Sequence, residues 1–249
     1  MIRYGLKLRS DNASWFTEAR RLFDAKRFDV IELAHHPDVP VDELALEPLR
    51  DIPMTVHAPT DRGFHEFIMG EEQLVIWRET LHLADLVRAT SIIVHPGLAH
   101  TVDSFFENLA KIDDPRMLIE NMAGLDLYGN PMFGQRLDDL ATIRTRKPVC
   151  FDIEKAVKAA THQGRPWQEF LEEGLRSLQP SYFHISGGDA SNPMDEHDDL
   201  WTSTYDVAAV KRMLERISND REISLIFEVP KKDGTLENDM RNMEHFRGL

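Results

Sequence analysis

Hydrophobic positions along the chain follow two alternating patterns. Short runs rich in β-branched and aromatic residues predict strands, and longer segments with apolar residues three and four positions apart predict amphipathic helices between them. Eight strands and eight helical segments in strict alternation are typical of an α/β fold, the (β/α)8 TIM barrel. The predicted strands cover residues 2–8, 28–34, 53–59, 91–97, 116–122, 148–153, 181–187 and 223–230.

A doubly wound open sheet is the competing fold for this pattern. We rank it lower because no glycine-rich phosphate-binding sequence follows the first predicted strand. At 249 residues and 42% hydrophobic, the chain is long enough for one sizeable core. We therefore expect a single barrel domain over residues 1–249.

Six of the predicted strands run apolar and then stop on an ionisable residue. These residues are His57, His95, Glu120, Asp152, His184 and Glu228. Side chains alternate between the two faces of a strand, so the residue two positions before each of them points the same way. Most of those residues are apolar, as the layer beneath a site at the barrel mouth should be: Thr55, Ile93, Leu118, Cys150, Tyr182 and Ile226. Cys150 is thus predicted to be buried and unreactive.

Catalytic groups of TIM barrels lie at the carboxyl ends of the strands, which is where these six residues fall. Up to three carboxylates would be buried together at this rim, at a large electrostatic and desolvation cost. Divalent cations offset that cost directly. Imidazole mixed with carboxylate predicts zinc first, with manganese or iron as alternatives.

The composition and net charge of the chain indicate which cellular compartment and which binding partners to expect. A single cysteine and the absence of any run near the ~20 apolar residues of a membrane span lead us to expect a cytoplasmic protein with no membrane partner. The net charge of −14, from 43 acidic and 29 basic residues, disfavours general nucleic-acid binding. Bound divalent ions would still create a local cationic mouth. Nothing in the sequence implies a protein partner.

Seven short motifs resemble the metal-binding signatures of the endonuclease IV family (AP endonuclease family 2), within the xylose-isomerase-like barrel superfamily. Each motif falls on the expected strand or loop, and seven in order are far more specific than any one alone. They span His57 to Glu228 and read VHAP (56–59), VHPG (94–97), IENMAG (119–124), FD (151–152), FHIS (183–186), DEH (195–197) and FEVP (227–230).

The resemblance implies a cluster of up to three metal ions. His57, His95 and Glu120 would hold the first ion, and Glu120 would bridge to a second. The remaining implied ligands are Asp152, His184 and Glu228 for the second ion, and Asp195 with His197 for the third. In that family the ions hydrolyse the phosphodiester on the 5′ side of an abasic site in DNA, through attack of a metal-bound hydroxide on phosphorus. The implied activity is a metal-dependent phosphodiester hydrolase acting on abasic-site DNA or a smaller phosphodiester, with Glu120, Glu228 and Lys155 as candidate catalytic residues.

Lys155 is one departure from the family pattern, which has a histidine there as a third-metal ligand. A protonated ammonium cannot ligate a metal, so we expect two firm ions and a weak or absent third. Lys155 would then serve as a point cation for a phosphate or an oxyanion, or simply pair with Asp195. Glu154 and His162 are candidate substitute ligands.

A second departure concerns DNA contacts. The family follows HAP with a tyrosine, and this chain has Thr60. Arg9, Arg62 and Phe64 are candidates for a similar contact, although an ordinary loop role is favoured.

The main alternative is a sugar isomerase or epimerase of the same superfamily acting on a small sugar substrate. Such enzymes resemble this chain in Glu120, Asp152, His184 and Glu228 around one metal, with the two glutamates moving protons. His57 and His95 favour the hydrolase, because a single-metal isomerase has no comparable need for them. The acidic charge and the short loops favour a small substrate. A non-catalytic barrel that binds metal or ligand is a third possibility.

Overall fold

Eight parallel strands close into a barrel in chain order, and β8 completes the ring by pairing with β1. The computed structural model describes residues 1–98, 100–232 and 234–249. The predicted (β/α)8 TIM barrel is therefore confirmed. Its strands are β1 Ile2–Arg9, β2 Val30–Ala34, β3 Met54–His57, β4 Ile92–Val94, β5 Met117–Glu120, β6 Val149–Asp152, β7 Tyr182–Ile185 and β8 Ile223–Phe227.

The helices cover the outside of the barrel, but they do not alternate strictly with the strands, so that expectation is wrong. Only a short 3-10 helix, Glu47–Leu49, lies between β2 and β3. Four prolines between positions 37 and 53 explain this, because proline removes a helical hydrogen bond and clashes with the preceding turn. Two helices, α5 and α6, lie between β6 and β7 instead. The helices are α1 Ala13–Asp24, α2 Glu71–Leu86, α3 Val102–Leu109, α4 Leu137–Arg144, α5 Ile153–His162, α6 Trp167–Leu178, α7 Val207–Asp220 and α8 Glu237–Gly248.

The two faces of the strands bury different sets of side chains. The inward residues form a compact cluster inside the barrel, made of Val30, Ile93, Cys150, Tyr182 and Ile226 with Leu118 packed against it. The outward residues join the large core between the barrel and the helices, among them Val56, Val94, Ile119, Phe151, Phe183 and Phe227. Full burial of one such phenylalanine is worth roughly 1.5–3 kcal/mol. The alternation expected from the sequence is confirmed, and it directs the strand-end ionisable residues into the mouth.

The loop after β7 returns to the mouth by a backbone pairing. Gly187 N–H donates to Asp198 O at 2.8 Å, and Asp198 N–H donates to Gly187 O at 3.0 Å. A Cβ at Gly187 would lie 2.2 Å from the Asp199 carbonyl oxygen, so only glycine fits this close approach. The pairing brings Asp195 and His197 over the open end of the barrel.

Among the described residues, no helix combines the length and the apolar character that a membrane crossing requires.

Candidate metal centre

One ligand set gathers two histidines around one oxygen of Glu120. His57 Nε2 lies 3.1 Å and His95 Nε2 lies 3.0 Å from Glu120 Oε2. His57 Nδ1 is 2.7 Å from the Ala58 carbonyl, which as an acceptor keeps the proton on Nδ1 and leaves Nε2 free to ligate. Burial, aided by the charge of Lys155, lowers the pKa of His95 to about 4, so its imidazole is neutral near pH 7, as a metal ligand must be. The three donors therefore form a group that could hold a divalent metal ion.

A second ligand set surrounds Nδ1 of His184 at the opposite side of Glu120. Glu228 Oε1 lies 2.8 Å, Glu120 Oε1 3.2 Å and Asp152 Oδ2 3.9 Å from this nitrogen. On the other edge of the ring, His184 Nε2 is 2.8 Å from Glu32 Oε2, a carboxylate that fixes the imidazole orientation. All the strand-end residues predicted from the sequence thus converge at one rim.

Glu120 sits between the two sets and presents one oxygen to each. Oε2 faces the histidines of the first set, while Oε1 faces His184 and Lys155. Burial alone would raise the pKa of this carboxyl group, but Lys155, His184 and His95 hold it well below the ordinary value of 4.5. Glu120 is therefore ionised, and its position is the one that a bridging ligand needs.

Asp152 has one satisfied and one unsatisfied oxygen. Its Oδ1 caps α5 by accepting a hydrogen bond from the Lys155 backbone N–H at 2.8 Å. Its Oδ2 is buried and has no hydrogen-bond partner in the structure. Burial, opposed by Lys155, raises the pKa of Asp152 to about 6. A buried orphan acceptor beside other ligand atoms is a place where a cation or a proton is needed.

Lys155 lies in the first turn of α5 and points into the mouth. Its Nζ donates to Glu120 Oε1 at 2.6 Å and lies 3.2 Å from His95 Nε2, whereas Asp195 Oδ2 is 4.0 Å away. Glu120, not Asp195, is thus its main partner. Although burial opposes its charge, the carboxylates of Glu120, Asp195 and Asp152 raise the pKa of Lys155 well above 10.5. Lys155 is therefore a buried cation near pH 7.

Asp195 and His197 lie over the second ligand set. His197 Nε2 is 3.3 Å from Glu228 Oε2 and 3.7 Å from Asp195 Oδ1.

Glu154 and His162, the two candidate substitute ligands, have different surroundings. Glu154 is fully buried, and burial together with Asp195 and Asp152 raises its pKa to about 10, so it is protonated near pH 7 in the metal-free protein. His162 lies at the end of α5 with Nδ1 2.7 Å from Gln135 Oε1, and among the described residues neither it nor Glu154 belongs to a group of side chains close enough together to share a metal ion.

Two further charged residues, Lys7 and Glu32, belong to the cluster. The search for ionisable residues at strand ends did not predict either of them. Lys7 on β1 pairs with Glu32 on β2 in the barrel register, and its Nζ lies 3.1 Å from Glu32 Oε1. The same Nζ also contacts Glu228 Oε1. The available signal was a lone charge inside each of two apolar runs, IRYGLKL and VIELA. Such a charge can be buried only if it is paired.

The mouth opens into a cleft of about 690 Å³, within the size range of small-molecule sites. Lys7, Lys155 and Glu228 form part of its floor, and Arg9 and Arg62 line its rim. Phe64, by contrast, is 1% exposed and belongs to the hydrophobic core. Its suggested contact with DNA is therefore wrong.

Several solved structures superpose on this barrel over nearly the whole chain. Endonuclease IV from Thermus thermophilus superposes with a TM-score of 0.75 and 21% identity over 99% of this chain and 98% of that one. A 3-keto-D-glucoside 4-epimerase from E. coli gives a TM-score of 0.63 and 13% identity over the full length of both chains. A xylose isomerase domain protein from Planctomyces limnophilus gives 0.59 and 11% over 99% and 95%. At these identities the similarity shows the shared fold alone, and no protein-family model or curated sequence matches the chain.

Proposed function

We propose that this protein is a metal-dependent hydrolase of phosphodiesters. One observation carries the proposal: the Nε2 atoms of His57 and His95 both lie within 3.1 Å of one oxygen of Glu120. A sugar isomerase built on the His184 ligand set has no need for this additional pair of imidazoles. The similarity of the fold to endonuclease IV from Thermus thermophilus is consistent with the proposal.

His57, His95 and Glu120 would hold a divalent ion, zinc being the best match to this donor set. When bound, the ion supplies charge neutralisation at a phosphate and activation of a water molecule. The side chains of the protein bind and orient the substrate. Lys7 and Lys155 add two ammonium groups to the cleft floor, where they attract and orient the anionic diester. Glu120 and Glu228 keep these cations in place.

Arg9 and Arg62 are the candidates for binding the flanking part of the substrate at the rim. Both arginines are about half exposed and are paired with acidic neighbours, Asp11 and Asp38. Exposed pairs of this kind are weak, so a phosphate can exchange with the carboxylate. The cleft volume of about 690 Å³ and the net charge of −14 favour a small phosphodiester over duplex DNA.

The proposal is tested with two substrates, bis(4-nitrophenyl) phosphate and a DNA duplex containing one abasic site. We expect zinc-dependent hydrolysis of the small diester, abolished by a chelator and reduced at least ~100-fold in His57→Ala and Glu120→Gln. His82→Ala, which changes an exposed histidine on α2, is the matched control and should keep full activity. Hydrolysis of neither substrate by the zinc-loaded wild type would refute the proposal. Cleavage of the duplex alone would make abasic-site DNA the substrate.

A sugar isomerase or epimerase is the second candidate, and a specific arrangement favours it. Glu120 and Glu228 approach His184 Nδ1 from two sides, at 3.2 and 2.8 Å, so two carboxylates flank one ligand position. An enolising enzyme exchanges a carbon-bound proton of its substrate with solvent. Incubation with ketoses and aldoses in D2O, followed by mass spectrometry, would detect that exchange. His57→Ala should leave such an activity largely intact while abolishing phosphodiester hydrolysis.

A further inference from the structure

Lys7 and Lys155 at the barrel mouth affect how many metal ions the centre can bind. Resting on the proposed function, we infer that the site binds a single divalent cation, through His57, His95 and Glu120, and that Lys7 and Lys155 stand in for a second. The sequence predicted two firm ions and a weak or absent third, so this inference departs from that prediction.

Lys7 and Lys155 contact the carboxylate oxygens that a second ion would need. Glu228 Oε1 and Glu120 Oε1 are the two carboxylate oxygens closest to His184 Nδ1, and they are the oxygens that a second ion would share with it. Lys7 contacts the first of these oxygens, and Lys155 contacts the second. An ammonium group cannot itself ligate a metal while it is protonated. Two of the three carboxylate oxygens of the second ligand set are therefore already paired with ammonium groups of the chain.

The first ligand set has a different environment. Glu120 Oε2 faces the imidazoles of His57 and His95, and the contact of Lys155 with Glu120 is made through the other oxygen. Lys155 Nζ also lies 3.2 Å from His95 Nε2, so an ion here must displace that one contact, whereas the lone pairs of Glu120 Oε2 and His57 Nε2 are available to it. Glu120 would consequently ligate a divalent ion through Oε2 while Oε1 accepts a hydrogen bond from Lys155.

Charge balance supports the same conclusion. Five carboxylates and two ammonium groups sum to three negative charges at the mouth, before the histidines are counted. One divalent ion reduces this to a single negative charge. A second would reverse the sign and place a dication at the two oxygens that Lys7 and Lys155 contact, where the ammonium groups repel it. The carboxylates are Glu32, Glu120, Asp152, Asp195 and Glu228.

Lys7 is held in this place by the barrel itself. It lies opposite Glu32 in the β1–β2 register, and closure of the ring brings it against Glu228 after β8. Glu32 also accepts the second hydrogen bond of His184, so the lysine is tied to the ligand set from both sides. Replacing Lys7 by an uncharged residue should therefore open the second set to a metal ion.

The test is metal stoichiometry, measured by equilibrium dialysis of metal-free protein against zinc ions and elemental analysis. We expect one zinc per chain for the wild type and two for Lys7→Met. Lys7→Arg keeps the charge and should stay at one. Lys211→Met, which removes a partly buried lysine on α7 that also has a carboxylate neighbour, is the matched control and should also stay at one. His57→Ala should fall below one.

The outcomes separate the inference from the proposed function. Two or more zinc ions in the wild type, or one in a folded Lys7→Met, would overturn the inference and leave metal-dependent hydrolysis standing. No bound zinc in the wild type would refute the proposed function itself. Folding of each variant is checked by circular dichroism. If Lys7→Met does not fold, Lys155→Met tests the same idea at the other oxygen, where the gain of a second zinc is expected and an unchanged count would overturn the inference.

Discussion

Replacing Lys155 with methionine removes a buried ammonium group and keeps a side chain of similar length. Lys155 Nζ lies 2.6 Å from Glu120 Oε1, and the two side chains are 2% and 0% exposed. Coulomb's law with an effective dielectric constant of about 20 gives an attraction of about 6 kcal/mol at that separation. Desolvation of the two groups offsets much of this gain, but removing one partner leaves the other charge buried. Such a change typically costs about 3 to 5 kcal/mol.

We therefore expect metal-free Lys155→Met to be about 3 to 5 kcal/mol less stable than metal-free wild type. Zinc at the first ligand set would supply positive charge to the same carboxylate, so the difference should shrink when zinc is present. Urea unfolding with a chelator or with zinc, followed by tryptophan fluorescence, measures both differences. Lys211→Met provides the control for loss of a lysine elsewhere. A metal-free loss below about 1 kcal/mol, within the range of an exposed pair, would refute the argument that this ion pair is buried.

Three further predictions concern the pH response, the thiol and the loop after β7. Burial lowers the pKa of His95 from 6.5 to about 4, so protonation of His95 favours the unfolded state. The contribution of this group to the free energy of unfolding of the metal-free protein should be complete above pH 6.5, and about 3 kcal/mol of it should be lost as the pH falls from 6.5 through 4. Urea midpoints between pH 4 and 7 measure this loss, and an unchanged profile in His95→Gln would contradict it. Burial raises the pKa of Cys150 to about 12, leaving only ~1 thiolate in 10,000 at pH 8, so a thiol reagent should react only with unfolded protein. Rapid labelling of the native protein would show that the thiol is accessible. Gly187→Ala should cost about 1–3 kcal/mol because its Cβ would meet the Asp199 carbonyl oxygen, whereas Gly248→Ala, with open space around it, should be neutral in thermal unfolding.

Many residues of the candidate metal centre could be predicted from local properties of the sequence. The period of two along each strand separates inward from outward side chains, and the end of an apolar run marks the barrel mouth. These two facts were enough to select His57, His95, Glu120 and Glu228, which the structure brings together at one rim. They also assigned Cys150 correctly to the layer beneath.

Contacts between distant strands could not be obtained in this way. Lys7 and Glu228 are 221 positions apart, and only closure of β8 onto β1 brings them into contact. Whether Lys155 pairs with Glu120 or with Asp195 depends on the direction of α5, and the pairing with Glu120 is much the shorter. The sequence by itself determined which ionisable side chains reach the mouth, because strand periodicity is local. The tertiary structure alone decided which charge neutralises which, because that depends on distances set by the closed ring.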